Sequence, residues 1–279
     1  MARFAIKTPP QHVSWDDILA VWEEADQIDL FESAWVFDHL YPIVGDPGGT
    51  CLESWVTLTA LARATHRIRV GSMVNGMHFR HPALTAKMAA TLDIVSDGRL
   101  SLGLGAGWFQ PEVDEYGLDL GDIGRRMARF EEGVEVIARL LAEQTVDFSG
   151  EHYSLQGARC EPKGPQQPRP PIAIGGGGER RTLRLVARWA DHWDALRAEG
   201  DEWKRKEEAL LDHCAAVGRD PTEITKSSHV MTPADAEPGF LAQQAVERFE
   251  IGVDLVIFSL RAPFDVGMVP ALAETLREI

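Results

Sequence analysis

The feature that most constrains this chain is its regular alternation of short apolar runs with longer segments of helical periodicity. Apolar residues recurring every three to four positions mark one face of a helix, and compact apolar runs bounded by turn residues mark strands. Residues 3–8, 33–39 and 67–74 and the segment DGRLSLGLG predict four strands, alternating with helices over 15–28, 52–64, 82–95 and 124–143. Ser14 suits the cap of the first helix and Pro82 the first turn of the third. Four more strands are predicted at 171–174, 192–196, 224–231 and 253–260, with helices over 179–189, 202–217, 240–250 and 269–278. VDFSGEHYSL, two short runs around Ser149-Gly150, predicts a small β-hairpin before the fifth strand, joined to it by a Pro-rich linker. Eight strand–helix units in 279 residues predict one domain over 1–279, a (β/α)8 TIM barrel. An open doubly wound sheet would place glycines at the first βα turn, and RFAIKTPPQ has none.

Charge narrows the partners. The net charge of −15, from 28 basic and 43 acidic side chains, disfavours nucleic acid and points to a small-molecule substrate. Any anionic ligand must then be held by a local feature working against the field of the whole protein. No apolar run reaches membrane-spanning length, and the opening apolar run is too short for a secretory signal. Cys51, Cys160 and Cys214 form no CxxC pair, so a reducing cytoplasm is expected and a metal site is not.

In a TIM barrel the chemistry sits at the C-terminal ends of the strands. The fifth strand ends in Gly175, Gly176, Gly177 and Gly178, followed by Glu179, Arg180 and Arg181. The run is neither a Walker loop nor GxGxxG, but its place before a helix suits a phosphate cradle of backbone N–H groups; a flexible turn is the plainer reading. Asp38 and His39 close the second strand, where they either handle protons or merely cap a turn. Gly103 and Gly105 within the fourth strand imply close backbone approach, Gly103 for packing, Gly105 and Gly107 for a ligand. Trp108 reads equally as a pocket wall or as a cover of the barrel mouth. His66, His78 and His81 read as surface residues.

These segments also carry a family likeness. WVFDHL, IRVGSMVNG, FRHPALTAKMAATLDIVSDGRLSLGLGAGW, GRRMARFEEGVEVI and IAIGGGGERRTLRLVARWAD resemble, in that order, the luciferase-like monooxygenase superfamily, and within it the coenzyme F420-dependent oxidoreductases. The resemblance implies a (β/α)8 barrel with a deazaflavin at its C-terminal mouth and hydride transfer to or from a small organic substrate. It implies that Asp38 and His39 contact the ring, with His39, or Asp38, managing a proton. Met73-Val74 matches a non-proline cis peptide behind the ring, and Asn75 a polar neighbour of it. Gly105, Ala106, Gly107 and Trp108 match a cofactor-lining segment, and Gly175–Gly178 with Glu179 the phosphate loop. Sugar-phosphate dehydrogenases of this kind have Glu where this chain has Trp108, which argues against a sugar-phosphate substrate. Family members are often dimers, so a homodimer is compatible. The alternatives are an FMN-dependent monooxygenase, a non-catalytic flavin-binding barrel and a barrel isomerase, for which Lys226 is the only nearby base.

Overall fold

The computed structural model describes residues 2–279. Its first half contains β1 (Phe4–Lys7), α1 (Trp15–Gln27), β2 (Phe31–Val36), α2 (Ser54–Ala64), β3 (Arg69–Gly76), α3 (Pro82–Val95), β4 (Leu100–Gly105), α4 (Gln110–Glu115) and α5 (Ile123–Ala142). The hairpin β5 (Val146–Ser149) and β6 (Ser154–Ala158) follows, then β7 (Ile172–Gly175), α6 (Thr182–Trp189), β8 (His192–Asp194), α7 (Gly200–Val217), β9 (Thr225–Thr232), α8 (Pro238–Glu250), β10 (Leu255–Leu260) and α9 (Met268–Leu276). The barrel is closed in the order β1-β10-β9-β8-β7-β4-β3-β2, with every pairing parallel. The predicted TIM barrel is therefore present, and the hairpin stands before β7, the fifth barrel strand.

Alternation along the strands divides the apolar residues between two cores. Ala5, Trp35, Met73, Ala173, Leu255 and Ile257 fill the barrel interior, with Val74 packed against them. The opposite strand faces meet the helices in one continuous outer core that includes Phe4, Phe31, Trp22, Phe130 and Phe258. No helix among the described residues is long and apolar enough to cross a membrane.

Three differences from the sequence reading bear on the site. β2 ends at Val36, so Asp38 and His39 lie in the loop beyond it rather than on the strand. α6 begins at Thr182, because residues 179–181 form a turn. The helix start is thus set back from the glycines, which leaves the turn's own amides beside them. Third, α4 was not anticipated: six residues with Pro111 in the first turn are too short for a periodic pattern.

The β2–β3 seam is held by a polar clip at the N-terminal ends of its strands, on the face opposite the mouth. The buried Asp26 carboxylate accepts from the amides of His66, Arg67 and Ile68, each at 2.8 Å. The Arg67 guanidinium donates to the carbonyls of Ala25, Asp26, Ile28 and Phe31, so the end of α1 is satisfied by the residue that leads into β3. Burial alone would raise the Asp26 pKa, but the three amides hold it below the ordinary value. Asp26→Ala is expected to cost about 3 kcal/mol in urea unfolding, since it leaves three amides without an acceptor. A depressed folded-state pKa contributes stability above the unfolded value of about 4 and loses it as pH falls through the folded one. The urea midpoint of the wild type should therefore drop below about pH 4, and Asp26→Asn should flatten part of that drop.

Candidate active site

The C-terminal mouth of the barrel gathers the predicted residues from β2, β3, β4 and β7. The Met73–Val74 peptide is cis, and the β3–β4 register shifts between Ser72 and Asn75, forming a bulge. The bulge gives the neighbouring glycines a clear purpose. A Cβ on Gly103 would collide with the Ser72 carbonyl, one on Gly105 with the Val74 side chain, and one on Gly175 would lie 2.9 Å from Val74 Cγ1. Gly105 is therefore explained by Val74, not by direct need for a ligand, and the first glycine of the run serves the same side chain. Gly107 has φ +87°, and a Cβ there would strike the His78 ring. Ala106 is half-buried against the outer core.

Two buried polar groups beside the bulge have no protein partner. Asn75 donates through Nδ2 to the Gly103 carbonyl at 2.8 Å, while its Oδ1 accepts from nothing. Both ring nitrogens of His78 are likewise unpartnered and hidden. Burial pushes the His78 pKa down to about 4, so the ring is neutral near pH 7. The expectation that His78 is a surface residue is thus corrected. Its proximity to Gly107 is a tertiary contact that the intervening sequence conceals.

His39 is engaged by a residue the sequence reading passed over. Its Nδ1 lies 3.0 Å from Glu112 Oε2 on α4, and the other carboxylate oxygen of Glu112 accepts from the Leu40 amide at 2.5 Å. Glu112 is 0% exposed. Burial would raise its pKa, yet His39 and the Leu40 amide hold it below the ordinary value. An ionised carboxylate against Nδ1 requires the proton there, which leaves Nε2 as the open ring position. Phe37 and Phe109 meet the His39 ring edge-on with centroids 5.0 and 6.0 Å away. Trp108 does so at 5.9 Å but is 62% exposed, so it stands at the rim. Glu112, four residues after Trp108, is the carboxylate that this segment brings to His39. A glutamate following Pro111 was the one available signal.

Asp38 has less freedom than expected. Its carboxylate accepts from Arg80 at 2.6 and 3.0 Å and from the Gly76 amide at 3.1 Å. With both oxygens occupied and the residue 3% exposed, Asp38 ties the end of β3 to the loop after β2. Burial raises the Asp38 pKa against the pull of Arg80 and the Gly76 amide, and the geometry gives the carboxylate a tethering role.

On the other side of the mouth, the Gly176 amide donates to the Asp194 carbonyl at 3.0 Å and its carbonyl accepts from Trp193 Nε1 at 2.8 Å. The amides of Gly177, Gly178, Glu179 and Arg180 have no backbone acceptor among the described residues. A Cβ on Gly177 would come 2.8 Å from Lys206 Nζ, so this glycine lets an α7 ammonium approach the loop. Trp193 stacks on Trp203 of α7 at 5.1 Å, fixing that approach. The Arg181 guanidinium is neutralised by Glu131 at 2.8 and 2.9 Å, and Glu179 pairs with Arg205 at 2.7 Å. Lys206 is the cation that reaches the glycines, and it too has a carboxylate partner, Glu202 at 2.5 Å. An open amide cluster beside an ammonium is chemistry suited to a phosphate. Together with the open Asn75 and His78 atoms, it fits a phosphorylated flavin-type group laid across the mouth.

Comparison with known proteins gives a concordant result. The model of the luciferase-like monooxygenase family matches residues 2–262. The uncharacterized protein Rv0953c of Mycobacterium tuberculosis is 32% identical over 209 residues, 75% of this chain and 70% of that protein. An F420-dependent glucose-6-phosphate dehydrogenase of Microbacterium testaceum is 30% identical over 225 residues, 80% of this chain but only 65% of the relative. Among solved structures, an F420-dependent secondary alcohol dehydrogenase in complex with an F420-acetone adduct superposes with a TM-score of 0.85. That likeness covers 99% of this chain and 98% of the other at 19% identity, and it is one of fold. The barrel, the bulged third strand and the family match together place this chain in the luciferase-like monooxygenase family.

Proposed function

We propose that the protein is a cytoplasmic oxidoreductase that uses coenzyme F420 to reduce or oxidise a small organic substrate. The observation that carries this reading is the shared rim. The His39–Glu112 pair, the bulge at Met73-Val74 and the open amides after Gly176 stand at one barrel mouth, and Val74 lies against Gly175 at the start of the glycine run. The names of the relatives support F420 as the coenzyme.

When bound, a deazaflavin supplies a two-electron hydride donor or acceptor at its central ring carbon. The amides of Gly177, Gly178 and Glu179, with the Lys206 ammonium, would hold the phosphate. Val74 would support the ring, flanked by Gly105, Ala106 and Gly107, while Asn75 Oδ1 would accept from its polar edge. Neutral His78 would stand nearby without adding charge. His39 would give or take the proton that accompanies hydride transfer at Nε2. Glu112 is a positioning residue that fixes the tautomer and compensates His39 when it is protonated. Asp38 is a positioning residue for the bulge through Gly76. Trp108 would shield the mouth from water.

The family's monooxygenase name favours one second reading, an FMN enzyme with the same loop and barrel. Copurification of yellow FMN, with no effect of the protein on F420 fluorescence, would decide for it. The F420 reading expects saturable quenching or a spectral shift of F420 at micromolar coenzyme. Gly177→Val should weaken that binding by about tenfold or more, because it displaces Lys206 and fills the cradle. His39→Ala and Glu112→Gln should lower kcat by about 100-fold or more while the F420 Kd changes by less than about threefold. Equal losses in kcat and affinity would make His39 a binding residue instead.

A further inference from the structure

A cavity at the mouth, of about 420 Å³, is lined from the ends of β1, β9 and β10, the loop after β2 and Leu196 just beyond β8. Strands β2, β1, β10 and β9 are consecutive around the barrel, and β8 stands between them and β7 with its glycine loop. The cavity therefore lies away from the proposed phosphate cradle. It is next to the dyad, because Phe37 forms one wall and also meets the His39 ring edge-on at 5.0 Å.

Its charge runs against that of the whole protein. Lys7, at the end of β1, and Arg261, just beyond β10, both line it, while no Asp or Glu does. In a chain of net charge −15, two cations around a carboxylate-free cavity form a local inversion of sign. Neither side chain makes an ion pair among the described residues, whereas Asp194, the only carboxylate whose charge bears on Lys7, is already engaged. Asp194 Oδ1 accepts from the Leu196 amide at 3.0 Å and faces His229 Nε2 at 3.1 Å. Burial opposes the charged form of Lys7 and lowers its pKa, so an ammonium kept there gains from an incoming anion. His229 also lines the cavity, is 4% exposed, and leaves Nδ1 without any partner. An unpartnered buried nitrogen and an unpaired cation lining one cavity suit an anionic ligand. Phe37, Leu260 and Met231 give the walls apolar surface for a carbon skeleton.

We propose that this cavity selects a small substrate carrying a carboxylate, which Lys7 anchors at the barrel end with Arg261 assisting from the exposed rim. The proposal rests on the oxidoreductase reading only in making that carboxylic acid the partner of the coenzyme. One interior cation matches a monoanion; a phosphate dianion would leave a charge uncompensated at depth.

The test uses the full-length protein without coenzyme, by calorimetry or ligand-observed NMR, with carboxylates of two to ten carbons each paired with its primary amide. Phenyl phosphate serves as the dianion. At least one carboxylate should bind about tenfold tighter than its amide, as expected for a charge-assisted contact, and its affinity should fall with added salt. Lys7→Met should abolish the preference and Arg261→Gln should reduce it, with thermal unfolding recorded for both. If Lys7→Met does not fold, Arg261→Gln and the salt dependence decide. No preference for any carboxylate, a preference that survives the substitutions or ignores salt, or tighter binding of phenyl phosphate would overturn the proposal. F420 fluorescence is titrated separately, so loss of the coenzyme reading and loss of the carboxylate reading give different results.

Discussion

The contact on which the mouth of this barrel depends is the packing of Val74 against backbone that carries no side chain. The β3 bulge aims Val74 across β4 toward β7, where glycine at 105 and 175 leaves it room, while Gly103 makes way for the Ser72 carbonyl of the bulge. A side chain at any of the three would displace the bulge or open the β3–β4 and β4–β7 seams. The site is thus built before any polar group is placed, because the same bulge carries Asn75 and Gly76 into the mouth. Asp38 then fixes Gly76, Arg80 neutralises Asp38, and Glu53 takes the remaining side of Arg80 at 2.9 Å. Although burial opposes it, the Arg80 pKa is held above its ordinary value by these carboxylates, while burial raises that of Asp38.

A division of labour follows around the rim. The β2–β4 side supplies the pair proposed to handle the proton, with Glu112 and His39 brought together from segments 73 residues apart. The β7–β8 side supplies open amides and Lys206, which suits an anion without any change to the acidic character of the surface. Across the mouth from those amides, the β1–β10 side presents unpaired cations. Each third of the circle has its own electrostatics, and the closed barrel sets all three around one mouth.

The alternation of elements made the barrel legible, and the glycine density at 103–107 and 175–178 marked where the backbone is approached. What approaches it was only partly legible. Sequence spacing cannot distinguish a glycine emptied for Val74 from one emptied for a phosphate, since both require the same missing Cβ. His78 and Lys206 were hidden for a related reason: each owes its role to a glycine distant in the chain, Gly107 or Gly177. Glu112 was overlooked because its helix is too short to show a period. Asp38 was legible as important but not in role, since its partner Arg80 lies in a loop that patterning leaves undefined.

The central claim is that the open amides of Gly177–Arg180 and Lys206 receive the phosphate of a deazaflavin whose ring rests on the Val74 bulge. A crystal structure of the protein with F420 tests it most directly. The account predicts the phosphate oxygens within about 3 Å of the Gly177 and Gly178 amides and the ring packed on Val74, with His39 Nε2 facing the substrate side. Phosphate density elsewhere on the rim, or a ring turned away from the bulge, would contradict it.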